Sequence, residues 1–107
     1  MIYDENSIDI MAKRKDGGLE LFIVSSGSMD ASEETQKLLL NKVEKYLGYI
    51  NSKKFQQEFE GINENKILII FQLEEKAPEL LMKLCEQIVP WVEENGATFT
   101  VREKEAI

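Results

Sequence analysis

The stretch Lys66-Ile67-Leu68-Ile69-Ile70-Phe71-Gln72-Leu73 is apolar at both parities of an extended chain. That pattern predicts a strand buried on both faces, and so a layer over each of them. A chain of 107 residues forms one domain, 1–107. Burying roughly 65% of its unfolded surface gives it a core without a disulfide or metal staple. Helices can cover one side of the strand. The other side is left to solvent, to a partner or to another segment, so this run bears on assembly as well as fold.

The segments around it supply the rest of a sheet. Ile8, Ile10 and Ala12 alternate with Asp9, Met11 and Lys13, the period of a strand with one buried face, here expected to be the isoleucine face. Asp16-Gly17 then predicts a tight hairpin turn with positive φ angles. Leu19–Val24 follows, with Leu19, Leu21 and Ile23 on one face and Phe22 and Val24 on the other, so this strand is expected to be central. Thr98–Arg102 alternates with Phe99 and Val101 inward, like an edge strand.

Two helical stripes separate these strands. Asp30 and Glu33 have capping-box spacing, which places a helix start near Asp30. Leu39, Leu40, Val43, Leu47 and Ile50, with Tyr46 beside them, recur at the three-and-four spacing of one buried face. Phe55 and Phe59 predict a further helical turn. Pro78 suits the first position of a second long helix, whose stripe is Leu81, Leu84, Cys85, Ile88 and Val92. Pro90 lies inside that stripe and predicts a kink near Glu86 or an early end. Gly96, after Asn95, predicts the C-terminal cap.

The order strand, strand, helix, strand, helix, strand, with right-handed crossovers, places both helices on the same face. The fold class expected is therefore α/β (α+β): a two-layer ββαβαβ sandwich with a four-stranded mixed sheet in the order 1-2-3-4. The sheet's second face then presents Phe22 and Val24 with either Leu68 and Ile70 or the opposite parity of that strand. Contiguous apolar patches of this kind mark contact surfaces. Phe22, Val24, Leu68 and Ile70 are the candidate interface residues, and Met1-Ile2-Tyr3, the Phe55/Phe59 segment and Ala106-Ile107 are the alternative cover.

Searching for chemistry excludes more than it finds. The chain has no histidine, which removes the commonest general base and metal ligand. Cys85 falls in an apolar stripe, where a thiol packs rather than reacts. The Ser25-Ser26-Gly27-Ser28 loop lacks any phosphate-binding glycine motif, and Asp30, Glu33 and Glu34 put negative charge where an anion would sit. Glu74 with Glu75, and Asp4, Glu5 and Asp9, lack calcium-loop spacing. No catalytic residue, cofactor or metal site is expected, and the chain is not read as an enzyme. A net charge of -7 makes nucleic acid a poor partner, and Lys13-Arg14-Lys15 reads as a solvated hairpin tip. No window approaches a membrane span. The N-terminus has no secretory pattern and the single cysteine suits a reducing compartment, so a cytoplasmic location is expected.

The Ile8-Asp9-Ile10 strand, the glycine hairpin at Gly17, the acidic cap from Asp30 to Glu34 and Tyr46-Leu47-Gly48-Tyr49-Ile50-Asn51-Ser52 together resemble a family of small uncharacterised bacterial domains of unknown function. Members of that family carry a tryptophan just before the cap aspartate, where this chain has Met29. The resemblance implies the same ββαβαβ fold and no activity. Two functions remain as expectations. One is a non-catalytic module that forms a homodimer or binds another protein through its open sheet face. The other is an acidic inhibitor or immunity-type protein that docks a basic partner on a contiguous negative face around Glu58, Glu60, Glu64, Glu74, Glu75 and Glu79.

Overall fold

The computed structural model describes residues 8–25 and 29–103. Four strands, β1 (Ile10–Lys13), β2 (Leu19–Val24), β3 (Ile67–Leu73) and β4 (Thr98–Glu103), and three helices, α1 (Glu33–Ile50), α2 (Lys53–Glu58) and α3 (Glu79–Glu94), follow one another as expected. The sheet order is β1-β2-β3-β4. The hairpin makes β1 antiparallel to β2, and the two helical crossovers make β2, β3 and β4 parallel.

One face of this sheet carries the core. Leu19, Leu21 and Ile23 of β2, Ile67, Ile69, Phe71 and Leu73 of β3 and Phe99 of β4 form one buried cluster with Leu39, Val43 and Leu47 of α1 and Leu81, Cys85, Ile88 and Val92 of α3. The parity of β3 is thereby settled: its odd-numbered residues meet the helices and Leu68 and Ile70 point away. Phe55 of α2 is buried in the same cluster and packs edge-on to Tyr49, so this segment covers the helical side and not the open face. The other alternative covers, residues 1–3 and 106–107, lie outside the described residues, as do residues 26–28 of the serine-rich loop.

Several local expectations shift by a residue or two. Ser32, not Asp30, is the α1 cap, accepting from the Thr35 backbone N–H at 3.2 Å. Asp30 instead takes the Ser32 N–H and the hydroxyls of Ser32 and Thr35. The Thr35 bond, followed by those of Ser32, holds its carboxyl below the usual carboxylate range. Met29, in the place of the tryptophan, is buried in the core. Pro78 caps α3 from just outside rather than opening it. Pro90 does not end that helix, which runs on to Glu94. Both Pro90 and Glu86, four residues earlier, are exposed, so the carbonyl left without its N–H partner is on the wet side. Gly96, at φ 93°, closes α3 as expected. Its N–H donates to Glu93 O, and the Ala97 N–H donates to Val92 O, the paired bonds of a Schellman cap.

Gly48, inside α1, has nothing within 4 Å of where a Cβ would lie, so no contact of the fold requires a glycine there. Gly48→Ala is expected to raise stability by about 0.5–1 kcal/mol. The change should appear as a higher urea midpoint at unchanged slope.

Candidate functional site

The open face of the sheet is built from three rows of side chains set by strand register. Ala12, Glu20, Leu68 and Thr98 form one row; Ile10, Phe22, Ile70 and Thr100 form the next; Val24, Gln72 and Arg102 form the third. All four candidate interface residues thus fall on one face, in neighbouring rows. Phe22, Val24 and Leu68 are half-buried. Ile70 differs, with no accessible surface. Arg102 Nη2 of β4 reaches Glu20 Oε2 of β2 at 3.3 Å. These residues stand in the first and third rows on either side of β3, so the line between them crosses β3 at Ile70. Flanked by Phe22 and Thr100 and lying under this bridge, Ile70 offers no contact surface.

The apolar part of the face is therefore displaced towards β1. There, sequence periodicity named the wrong face. Ile10 pairs with Phe22 and Ala12 with Glu20, so Ile10 and Ala12 lie on the open face, with Ile10 52% exposed, while Ile8, just before the strand, packs against the core. The helix-side parity belongs to Asp9, Met11 and Lys13.

Asp9 is the reason for that choice. Its side chain is 3% exposed, and its Oδ1 accepts from Lys42 Nζ of α1 at 2.8 Å, where the lysine side chain has no exposed surface. Its Oδ2 accepts the Val24 N–H at 2.9 Å, and its own N–H donates to the Tyr46 hydroxyl at 3.0 Å. That hydroxyl in turn donates to the Phe22 carbonyl. Burial opposes ionisation of Asp9. The Lys42 hydrogen bond, the Val24 N–H and the Lys42 charge are among the causes that hold its pKa below the ordinary value of 3.8. Burial also raises the Tyr46 phenol above its usual range and keeps it protonated as a donor. The cluster pins the start of β1 to α1 and the end of β2. It presents no accessible polar atom to a substrate.

A groove of about 940 Å³ opens between the C-terminal ends of α1 and α3, with Gly48, Tyr49 and Trp91 among its lining residues. Asn51 Nδ2 ties those ends together by donating to Leu47 O and Asn95 O. Cys85 is buried, and burial, followed by the Glu86 charge, pushes its thiol up to about 11. It packs the core as its place in the stripe implied. Among the described residues, no three His, Cys, Asp or Glu side chains come together as a metal site, and no helix is long and apolar enough to cross a membrane.

The six glutamates of the acidic-face reading are all exposed but not contiguous. Glu58, Glu60 and Glu64 precede β3, and Glu74, Glu75 and Glu79 follow it. The length of β3, about 20 Å at some 3.3 Å per residue, separates the two groups.

A family model described as a family of unknown function, DUF6572, matches residues 1–105. The chain belongs to this family. The match covers the strand, hairpin, cap and late-helix segments that carried the sequence resemblance, so the DUF6572 assignment agrees with that resemblance. No curated protein and no solved structure matches the chain.

Proposed function

We propose that this DUF6572 domain is a non-catalytic cytoplasmic module that self-associates through the open face of its sheet. The observation that carries the reading is the apolar patch of Ile10, Phe22 and Val24, adjacent by register and lying opposite the helix layer, with Leu68 on the same face across the Glu20–Arg102 bridge. Removing such surface from water is favourable by roughly 25 cal/mol per Å². A lone exposed side chain needs no explanation, but adjacent ones on one face do. The acidic-inhibitor reading has less support, because its glutamates divide between the two ends of β3.

Leu68→Glu places a charge on this face at a half-buried position outside the core cluster. Light scattering across a dilution series is expected to give a mass that falls towards the monomer for the wild type. The variant should be monomeric throughout, with unchanged circular dichroism. A wild type that is monomeric at every concentration would overturn the reading.

A further inference from the structure

The outer edge of β1 carries a second feature that the open face does not explain. Among the described residues only three large apolar side chains are exposed, and two are neighbours on this strand: Ile10 at 52% and Met11 at 42%. They point to opposite faces, so burial of the sheet face alone leaves Met11 wet. Among the described residues β2 is the one strand paired with β1 in the sheet. The backbone groups on the far side of β1 form an edge of the kind that templates pairing with another strand.

Which groups face outward follows from the hairpin. The Arg14 N–H donates to Gly18 O at 2.9 Å, so Arg14 and Gly18 are a hydrogen-bonded pair of the antiparallel ladder. Such pairs alternate with non-bonded ones. Ala12 and Ile10 therefore turn their N–H and C=O towards β2, and those of Met11 and Lys13 point outward.

We infer that two copies of this chain pair edge to edge through antiparallel β1 strands centred on Met11, with a twofold axis perpendicular to the sheet. In this register each Met11 faces its counterpart and the two residues exchange both N–H···O=C bonds. Ile10 of each copy lies opposite Ala12 of the other on the open face. Lys13 lies opposite Asp9, whose buried carboxylate is already held by Lys42 and the Val24 N–H, so the ends of the pairing add no charge contact. Shifting the centre to Ala12 would set Met11 against Lys13 and Ile10 against Arg14. Apolar matching therefore selects the Met11 register. Side chains of equal parity meet across the axis, so both helix layers stay on one side and the two open faces join into one. The contact is short, and the dimer it makes is concentration-dependent rather than permanent.

This goes beyond the open-face reading, and the two fail separately. In a bonded antiparallel pair the Cα atoms lie about 5.5 Å apart, within the reach of a disulfide. Met11→Cys under mild oxidation is therefore expected to give a covalent dimer on a non-reducing gel. Lys13→Cys, equally exposed, has its symmetry mate about 13 Å away in this register and should cross-link at least tenfold more slowly. The buried native Cys85, its thiol pushed up to about 11, stays silent in both. The comparison is repeated in the Leu68→Glu background, where the face contact is disabled and cross-linking at position 11 should persist. Equal rates for the two single variants would overturn the edge pairing and leave the face reading intact. Loss of cross-linking in the Leu68→Glu background would make the edge contact a by-product of face association and would also overturn it.

Discussion

Asp9→Ala is expected to cost about 3–5 kcal/mol of folding stability, because it takes the carboxylate away from the ammonium of Lys42, whose side chain has no exposed surface. It also takes an acceptor from the Val24 N–H. Measured by urea unfolding, this is a large share of the 5–15 kcal/mol that a domain typically has. Adding Lys42→Met removes the buried charge at similar volume, so the double variant should be more stable than Asp9→Ala alone, a non-additivity diagnostic of a coupled pair. The pH dependence has a definite sign. The folded pKa of Asp9 lies below 3.8, so the unfolded chain binds the proton more readily. The contribution is complete above that ordinary value and is lost as pH falls through the lowered folded value. The Asp9→Ala variant should lack this part of the acid-induced loss. A destabilisation near zero, or strict additivity with Lys42→Met, would refute the account.

That cluster also shows where sequence reasoning stopped. Element order, sheet order and the helix faces were legible because each rests on a repeating signal: Leu39, Val43, Leu47 and Ile50 at helical spacing, Leu19, Leu21 and Ile23 at strand spacing, and a β3 run apolar at both parities. Edge strand β1 was misread because it has only four residues and its apolar residues lie at both parities, so one buried polar contact outweighs its pattern. A clue was present. Lys42 sits three residues after Leu39 and four before Tyr46, inside the apolar stripe of α1, and a lysine in such a stripe requires a buried anion. Asp9 is the carboxylate in a strand pattern that could supply it. The burial of Ile70 had no comparable signal, because the Glu20–Arg102 bridge joins residues 82 apart whose proximity depends on the register of three strands. The hairpin was half legible. Asp16-Gly17 marked the turn, but only Gly17, at φ 87°, takes a positive angle, while Asp16 stays in the ordinary region and its Oδ1 accepts from the Gly18 N–H at 3.0 Å. The result is a three-residue loop with glycine in its left-handed position, rather than a two-residue turn with two positive angles.

Gly18→Ala is expected to be the most damaging single-methyl change in the described chain, at the upper end of the roughly 1–3 kcal/mol typical of overpacking. Its cause differs from that at Gly17. Gly18 has no positive φ; what it lacks is room. A Cβ there would lie 2.8 Å from Lys66 Cβ and closer still to the Lys66 carbonyl oxygen. That oxygen belongs to the single 3-10 turn Glu64–Lys66, which leads directly into β3, so it cannot rotate away as a side chain end would. Relief requires the hairpin and the β3 entrance to separate. Their separation would strain the Asn63 N–H bond to Gly17 O, 2.8 Å long, and the first rung of the β2–β3 ladder, Leu19 against Ile67. Gly17→Ala loses stability through backbone strain alone, about 1–2 kcal/mol, because its nearest side-chain neighbour is 3.9 Å away. The two mechanisms separate on a second substitution. Asparagine, which tolerates the left-handed region, should recover much of the loss at position 17 and none at position 18, where any side chain meets the same carbonyl. Urea unfolding of the four variants reads this directly. Equal recovery at both positions would mean that conformation, not the close approach to Lys66, is what glycine supplies at Gly18.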